Sequence, residues 1–152
     1  MPGNTWEYYE VLREVGGPVY SPEGDTLPWI KFNLRAYHEQ TQRVQYRVDR
    51  SNQVWLELMQ HAEAHGISER QVTALHEVAM VNRVRRSRYE RQEAINTQQA
   101  TRNLQTLTKA GVLTAVGHTK GRHYVAGPQF PQPVLATARR PHRITTPTPL
   151  PS

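Results

Sequence analysis

Neither glycine nor proline occurs between residues 29 and 65, and Pro28 stands where a first helical turn tolerates it. A stretch that long without a breaker reads as one long helix, or as two with a break. Ile30, Leu34, Tyr37, Thr41, Val44, Val48, Ser51, Trp55, Leu58 and Ala62 recur along it at spacings of three and four. They form a heptad-like seam, weakened by Thr41 and Ser51. The seam needs a cover: another helix of the chain, a second copy, or a domain carried elsewhere.

Local signals divide the rest of the chain. Asn4 followed by Glu7 spells a helix cap, and Trp6, Tyr9, Leu12 and Val15 give the helix after it one apolar stripe, ended by Gly16-Gly17-Pro18. Residues 21–25 are a loop by their turn chemistry. After Gly66, Ser68 with Gln71 three residues on repeats a capping box and opens a helix over residues 69–82, with Val72, Leu75, Val78 and Ala79 facing inward. A short helix fits residues 86–93 around Tyr89. Asn96 with Gln99 caps another, buried through Ala100, Leu104, Leu107 and Ala110 and closed by Gly111. The period then changes to that of a hairpin, residues 112–116 and 122–126, around the turn Gly117-His118-Thr119-Lys120-Gly121. Three helices followed by a basic hairpin is the order of a winged helix-turn-helix. Seven of the 11 prolines fall after Gly127, so residues 128–152 are expected to be a disordered, Pro-rich tail.

Charge is unevenly spread. Residues 1–82 carry 7 Lys/Arg against 11 Asp/Glu, whereas residues 83–123 carry 9 Lys/Arg against only Glu90 and Glu93. The net +6 of the chain thus conceals a basic segment of the kind that binds polyanions. The absence of cysteine excludes disulfides and thiolate metal sites. No stretch approaches the roughly 18 consecutive apolar residues of a membrane span, and residues 1–20 lack a signal peptide's basic start and apolar run. A soluble, cytoplasmic protein without membrane contact is expected.

In a helix-turn-helix the recognition helix presents its N-terminal residues to base edges while its neighbours hold phosphates. Thr97, Gln98, Thr101 and Arg102 open the third helix of this set and face outward if Ala100, Leu104 and Leu107 face the core. Amide and guanidinium groups there suit paired hydrogen bonds to adenine and guanine. Arg85, Arg86, Arg88, Lys120, Arg122 and His123 are then candidates for phosphate contacts, and duplex DNA is the expected partner. The competing reading is a packing or interaction module with a solvated basic face. His61 and His65, with Glu57 one turn earlier, share a helix face that suits a metal, yet the order is not His-Glu-x-x-His and an ordinary surface helix is preferred. The glycines of residues 117–122 lack the Gly-Lys-Ser/Thr ending of a phosphate loop. No Ser/His/Asp set or paired catalytic carboxylates stand out, so no catalytic residue, metal or cofactor is assigned.

Asn4-Thr5-Trp6-Glu7-Tyr8-Tyr9 and Asp25-Thr26-Leu27-Pro28-Trp29-Ile30-Lys31-Phe32 resemble the end of a Fic (filamentation induced by cyclic AMP) domain, where a Tyr-Tyr helix and a Pro-Trp helix complete the bundle. Tyr89, Ala94-Ile95-Asn96, Ala100-Thr101-Arg102-Asn103-Leu104, Ala110-Gly111-Val112-Leu113 and Gly121-Arg122-His123-Tyr124-Val125-Ala126-Gly127 are similar to the winged helix that follows the Fic domain in many bacterial proteins. Glu90 and Gln92 replace the small or apolar residues usual in that family, and Ala94 replaces a usual Gly. Fic proteins transfer a nucleotide phosphoryl group, usually AMP, to a target hydroxyl through a loop spelled His-Pro-Phe-x-Asp/Glu-Gly-Asn-Gly-Arg. That loop is absent from this sequence.

The resemblance therefore implies the non-catalytic C-terminal portion of such a protein. The expected fold is mainly α: the end of a Fic-type helical bundle with its long connecting helix over residues 1–66, then a winged helix-turn-helix with a small hairpin wing over residues 67–127. Two alternatives stay open. One is a structural component of an AMP-transferring enzyme, paired with a separate Fic-domain chain that carries the loop. The other is a dimerisation module whose seam binds a partner helix, a homodimer being the simplest case.

Overall fold

The computed structural model describes residues 5–16 and 24–143. The Asn4 cap, the Gly17-Pro18 stop, residues 21–23 of the expected loop and the end of the tail from residue 144 lie outside the described residues. Among those described are six α-helices and one two-stranded antiparallel sheet, so the protein is mainly helical. No helix among them is long and apolar enough to cross a membrane. The chain divides into two compact units, the larger comprising Arg47–Pro141.

The smaller unit contains α1 (Thr5–Gly16) and the first part of α2 (Leu27–His65). The Leu27 amide donates to the Asp25 carboxylate at 2.9 Å where α2 begins, and Pro28 falls in the first turn, where its missing N–H costs nothing. α1 buries no residue. Its links to α2 are the Tyr8 and Phe32 rings, 6.1 Å apart, and an exposed Arg35–Glu7 ion pair at 3.4 Å, a type of contact that adds little.

The expected seam is not covered along its length. Ile30, Leu34, Tyr37, Val44 and Val48 are all exposed. The row of α2 that enters the core of the larger unit is Val54, Leu58 and Ala62, four residues apart, with Trp55 only partly buried beside it. A globular core receives a helix along one such i, i+4 ridge, whereas the 3.5-residue pattern of a coiled coil drifts around a straight helix.

α3 (Glu69–Val81) is the central element of the larger unit and packs against α4 (Arg86–Glu93), α5 (Thr97–Lys109), β2 (His123–Ala126) and α6 (Gln132–Ala138). It starts where the sequence places it. The Ser68 hydroxyl accepts from the Gln71 amide and the Gln71 side chain accepts from the Ser68 amide, the reciprocal capping box. α2 is fastened to α3 by the His76 ring, whose Nε2 lies 3.1 Å from Ser51 Oγ and whose plane meets Trp55 edge-on at 5.6 Å.

β1 (Leu113–Val116) pairs with β2 in the register Leu113 with Ala126 through Val116 with His123. One further residue joins them: Val84, between α3 and α4, exchanges two backbone hydrogen bonds of 2.9 Å with Tyr124. The start of α4 is thereby tied to the hairpin. Gly127 closes the sheet against the preceding turn, and a Cβ there would stand 2.2 Å from the Gly111 carbonyl oxygen. Only glycine permits that approach.

Residues 128–143 correct the expectation of disorder. Phe130, Val134, Leu135 and Ala138 are buried in the same core as α3 and α5, and the Thr137 hydroxyl donates to the Glu57 carboxylate of α2 at 3.0 Å. Two of the prolines that suggested disorder stand where a helix accepts them. Pro131 is the N-cap and Pro133 lies in the first turn of α6, before any intrahelical N–H is needed.

Candidate nucleic-acid interface

The expected site residues lie on α4, α5 and the hairpin, and buried polar groups hold α4 and α5 together. The Asn96 side chain accepts from the Gln99 amide at 2.8 Å and starts α5. Ala100, Leu104 and Leu107 then face the core together with Asn103, a polar residue only 9% exposed. Its side-chain Nδ2 donates to the Tyr89 hydroxyl of α4 at 2.9 Å, and its backbone carbonyl accepts from Gln71 Nε2 of α3 at 3.3 Å. Three helices thus share one satisfied network, the arrangement that fixes a relative orientation rather than merely a contact. Tyr89 is fully buried, and desolvation pushes its phenol above the usual range against the opposing pull of the Asn103 hydrogen bond.

With that face inward, α5 turns Thr97, Gln98, Arg102 and Gln105 to solvent. Thr101 is half-buried, and its hydroxyl donates to the Thr97 carbonyl at 2.7 Å, so it offers outward only acceptor capacity.

Beside this face is a hollow of about 220 Å³. It gathers five of the expected residues from three elements: Arg85 and Arg86 at the start of α4, Thr101 on α5, and Lys120 and Arg122 on the hairpin. Ser87, Gln105, Thr119 and Tyr124 complete its wall, and among the described residues no carboxylate lines it. The hairpin end is a short 3-10 turn over Thr119–Gly121. Gly117 there has φ +79° and a Cβ position 3.0 Å from the Gly121 carbonyl, a fit suited to glycine. The Arg122 guanidinium carbon lies 5.8 Å from the centroid of the Tyr124 ring, within cation–π range. Arg85, Arg102, Lys120 and Arg122 make no ion pair among the described residues, while Arg86 pairs with Glu90 at 3.0 Å.

Two expected phosphate contacts are placed otherwise. Arg88 Nε donates to Glu77 of α3 at 2.7 Å, and Gln92 Nε2 reaches the other oxygen of the same carboxylate at 3.2 Å. Glu77 is 9% exposed, and a carboxylate so far desolvated needs a charged partner. Arg88 supplies it, Gln92 one turn on adds a neutral donor, and together they bind α4 to α3. His123 is absent from the hollow. Successive strand residues face opposite sides, so it points away from Tyr124, and its Nδ1 donates to the Gly121 carbonyl at 3.0 Å.

Ser87, Gln105 and Tyr124 were not among the expected site residues. Gln105 was legible in principle, since it stands one turn beyond Thr101 and Arg102 on the same face. Tyr124 was not, because only the fold places it beneath Arg122.

The His61 and His65 rings stack at 4.0 Å between centroids, and His65 Nδ1 donates to the His61 carbonyl at 2.8 Å. Burial, and then the neighbouring His65, holds His61 below the usual imidazole range. Glu57 is engaged by Thr137, and no group of three or more His, Asp or Glu poised to hold a metal ion occurs among the described residues.

No protein-family model, curated protein or solved structure matches this chain.

Proposed function

We propose that the larger unit is a winged helix-turn-helix that binds duplex DNA, with α5 entering the major groove and the α4 start and hairpin tip holding the backbone. One observation carries the reading: Arg85, Arg86, Lys120 and Arg122, from two separate elements, meet in one acid-free hollow beside the polar face of α5. The order of helices and hairpin supports it, as does the single-residue bridge from Val84 to Tyr124, which supplies a rudimentary third strand. Gln98, Arg102 and Gln105 then face base edges, and the hollow faces phosphates. On the sequence resemblance, α1 and the start of α2 are the end of a Fic-type bundle. The chain acts by binding, since the phosphoryl-transfer loop is not in its sequence.

The exposed stripe from Ile30 to Val48 favours a second, compatible reading, in which α2 pairs with another copy or with a Fic-domain chain.

A fluorescence-anisotropy titration with random-sequence duplex DNA across a range of salt tests the proposal. Arg85, Arg86, Lys120 and Arg122 neutralising about four phosphates give a log–log slope near −3 to −4. Absence of binding at low salt, or binding indifferent to salt, refutes it.

A further inference from the structure

Tyr124 is 5% exposed and lines the hollow, yet its hydroxyl has no hydrogen-bond partner among the described residues. Packing between Val84 and Ala115 in the sheet asks only for a ring. The hydroxyl itself is not sealed from solvent, so it is a spare donor held at the wall of the hollow and open to a ligand there.

The surroundings define that partner. Arg122 lies over the ring of Tyr124, and Arg85, Lys120 and Arg122 are cations without a protein counter-charge among the described residues. α4 begins at the hollow with no side chain capping it, so among the described residues the amides of Arg86 and Ser87 have no acceptor. The groups that face the hollow are mainly hydrogen-bond donors and positive charges; the Thr101 hydroxyl offers only acceptor capacity, and the other hydroxyls and the Gln105 amide serve either way. That set suits a tetrahedral oxyanion and repels a metal cation.

We propose that the hollow is a seat for one phosphate ester, with the Tyr124 hydroxyl donating to a phosphoryl oxygen, the α4 amides of Arg86 and Ser87 to another, and Lys120 and Arg122 compensating the charge. The hollow is larger than a bare oxyanion requires and leaves room for the sugar of a phosphodiester. The assignment deepens the DNA-binding reading and rests on it for the source of the ester: one backbone phosphate fixes the register of α5 in the groove.

The test is an amide chemical-shift titration of the full chain with glycerol phosphate, with inorganic phosphate, and with sodium chloride at matched ionic strength. Glycerol phosphate should shift the Arg86, Ser87 and Lys120 amides at saturable concentration and bind more tightly than inorganic phosphate. Tyr124→Phe keeps the ring and should weaken glycerol phosphate by about tenfold or more, as expected for one hydrogen bond to a charged group. Lys120→Gln, at an exposed position, should weaken it comparably and gives a second measure independent of the core. Random duplex DNA is titrated against the same variants. If glycerol phosphate binds and the duplex does not, the seat stands and the DNA reading falls. If the duplex binds while Tyr124→Phe changes neither ligand, or while chloride gives the same shifts as glycerol phosphate, the seat is overturned and the DNA reading survives. Tighter binding of inorganic phosphate overturns the ester assignment.

Discussion

Replacing Phe130 with Ala removes a ring that is 2% exposed and lies beyond the point where composition alone places the end of the fold. A buried aromatic covers about 150–250 Å², of which truncation to Ala returns the larger part. At about 25 cal/mol per Å² the lost transfer free energy is roughly 2–3 kcal/mol. The vacated space adds a cavity cost of about 24 cal/mol per Å³, so an incompletely collapsed site brings the total to about 3–5 kcal/mol. The core around Phe130 includes Val134, Leu135 and Ala138 of α6, which loosen with it rather than close over the gap. Urea unfolding of parent and variant, followed by circular dichroism, measures the difference as a shift of midpoint at constant slope. Gln132→Ala, on the exposed side of α6, serves as the control and should stay within about 0.5 kcal/mol. A Phe130→Ala cost that is also below about 0.5 kcal/mol would show that residues after Gly127 do not pack, and the account of α6 would be wrong.

Ala94 ends α4 in the left-handed region, at φ 50° and ψ 43°, and is exposed, so Ala94→Gly should stabilise the protein by up to about 1 kcal/mol in the same unfolding assay. Tyr89→Phe should cost about 1–2 kcal/mol at neutral pH by leaving Asn103 Nδ2 without its acceptor. The phenol of folded Tyr89 titrates above its unfolded value of about 10, so its contribution is complete below that pH and is lost as pH rises through the folded pKa; Tyr89→Phe should flatten this alkaline loss. Arg102→Ala should cost about 1–3 kcal/mol of specific DNA binding and relax preference at one position, whereas Arg122→Ala should weaken all sequences alike and reduce the salt slope by about one unit. Unchanged binding in both variants would remove the groove-docking geometry.

The elements that the sequence determines are those set by interactions three or four residues apart. The Ser68–Gln71 box and the Asn96–Gln99 cap are such contacts, and α3 and α5 begin where they stand. The hairpin follows from the change of apolar period between Gly111 and Gly127, and the long breaker-free run becomes the single helix α2. For the hollow, residue type with the order of helices and hairpin suffices to bring Arg85, Arg86, Thr101, Lys120 and Arg122 to notice.

Tertiary structure decides everything that depends on which surfaces meet. Proline content marks the region after Gly127 as tail-like, yet four apolar side chains there find an open side of the core, and Pro131 and Pro133 fall in a cap and first turn that need no N–H. Arg88 carries the same charge as Arg85, but only the fold sets the buried Glu77 carboxylate within its reach. The heptad seam omits Val54 and does not separate Leu58 and Ala62 from Ile30, Leu34 and Tyr37; burial of Val54, Leu58 and Ala62 and exposure of the others follow from where a core lies alongside α2. Long-range contacts of this kind leave no fixed spacing in the chain, and so no periodicity by which they could be read.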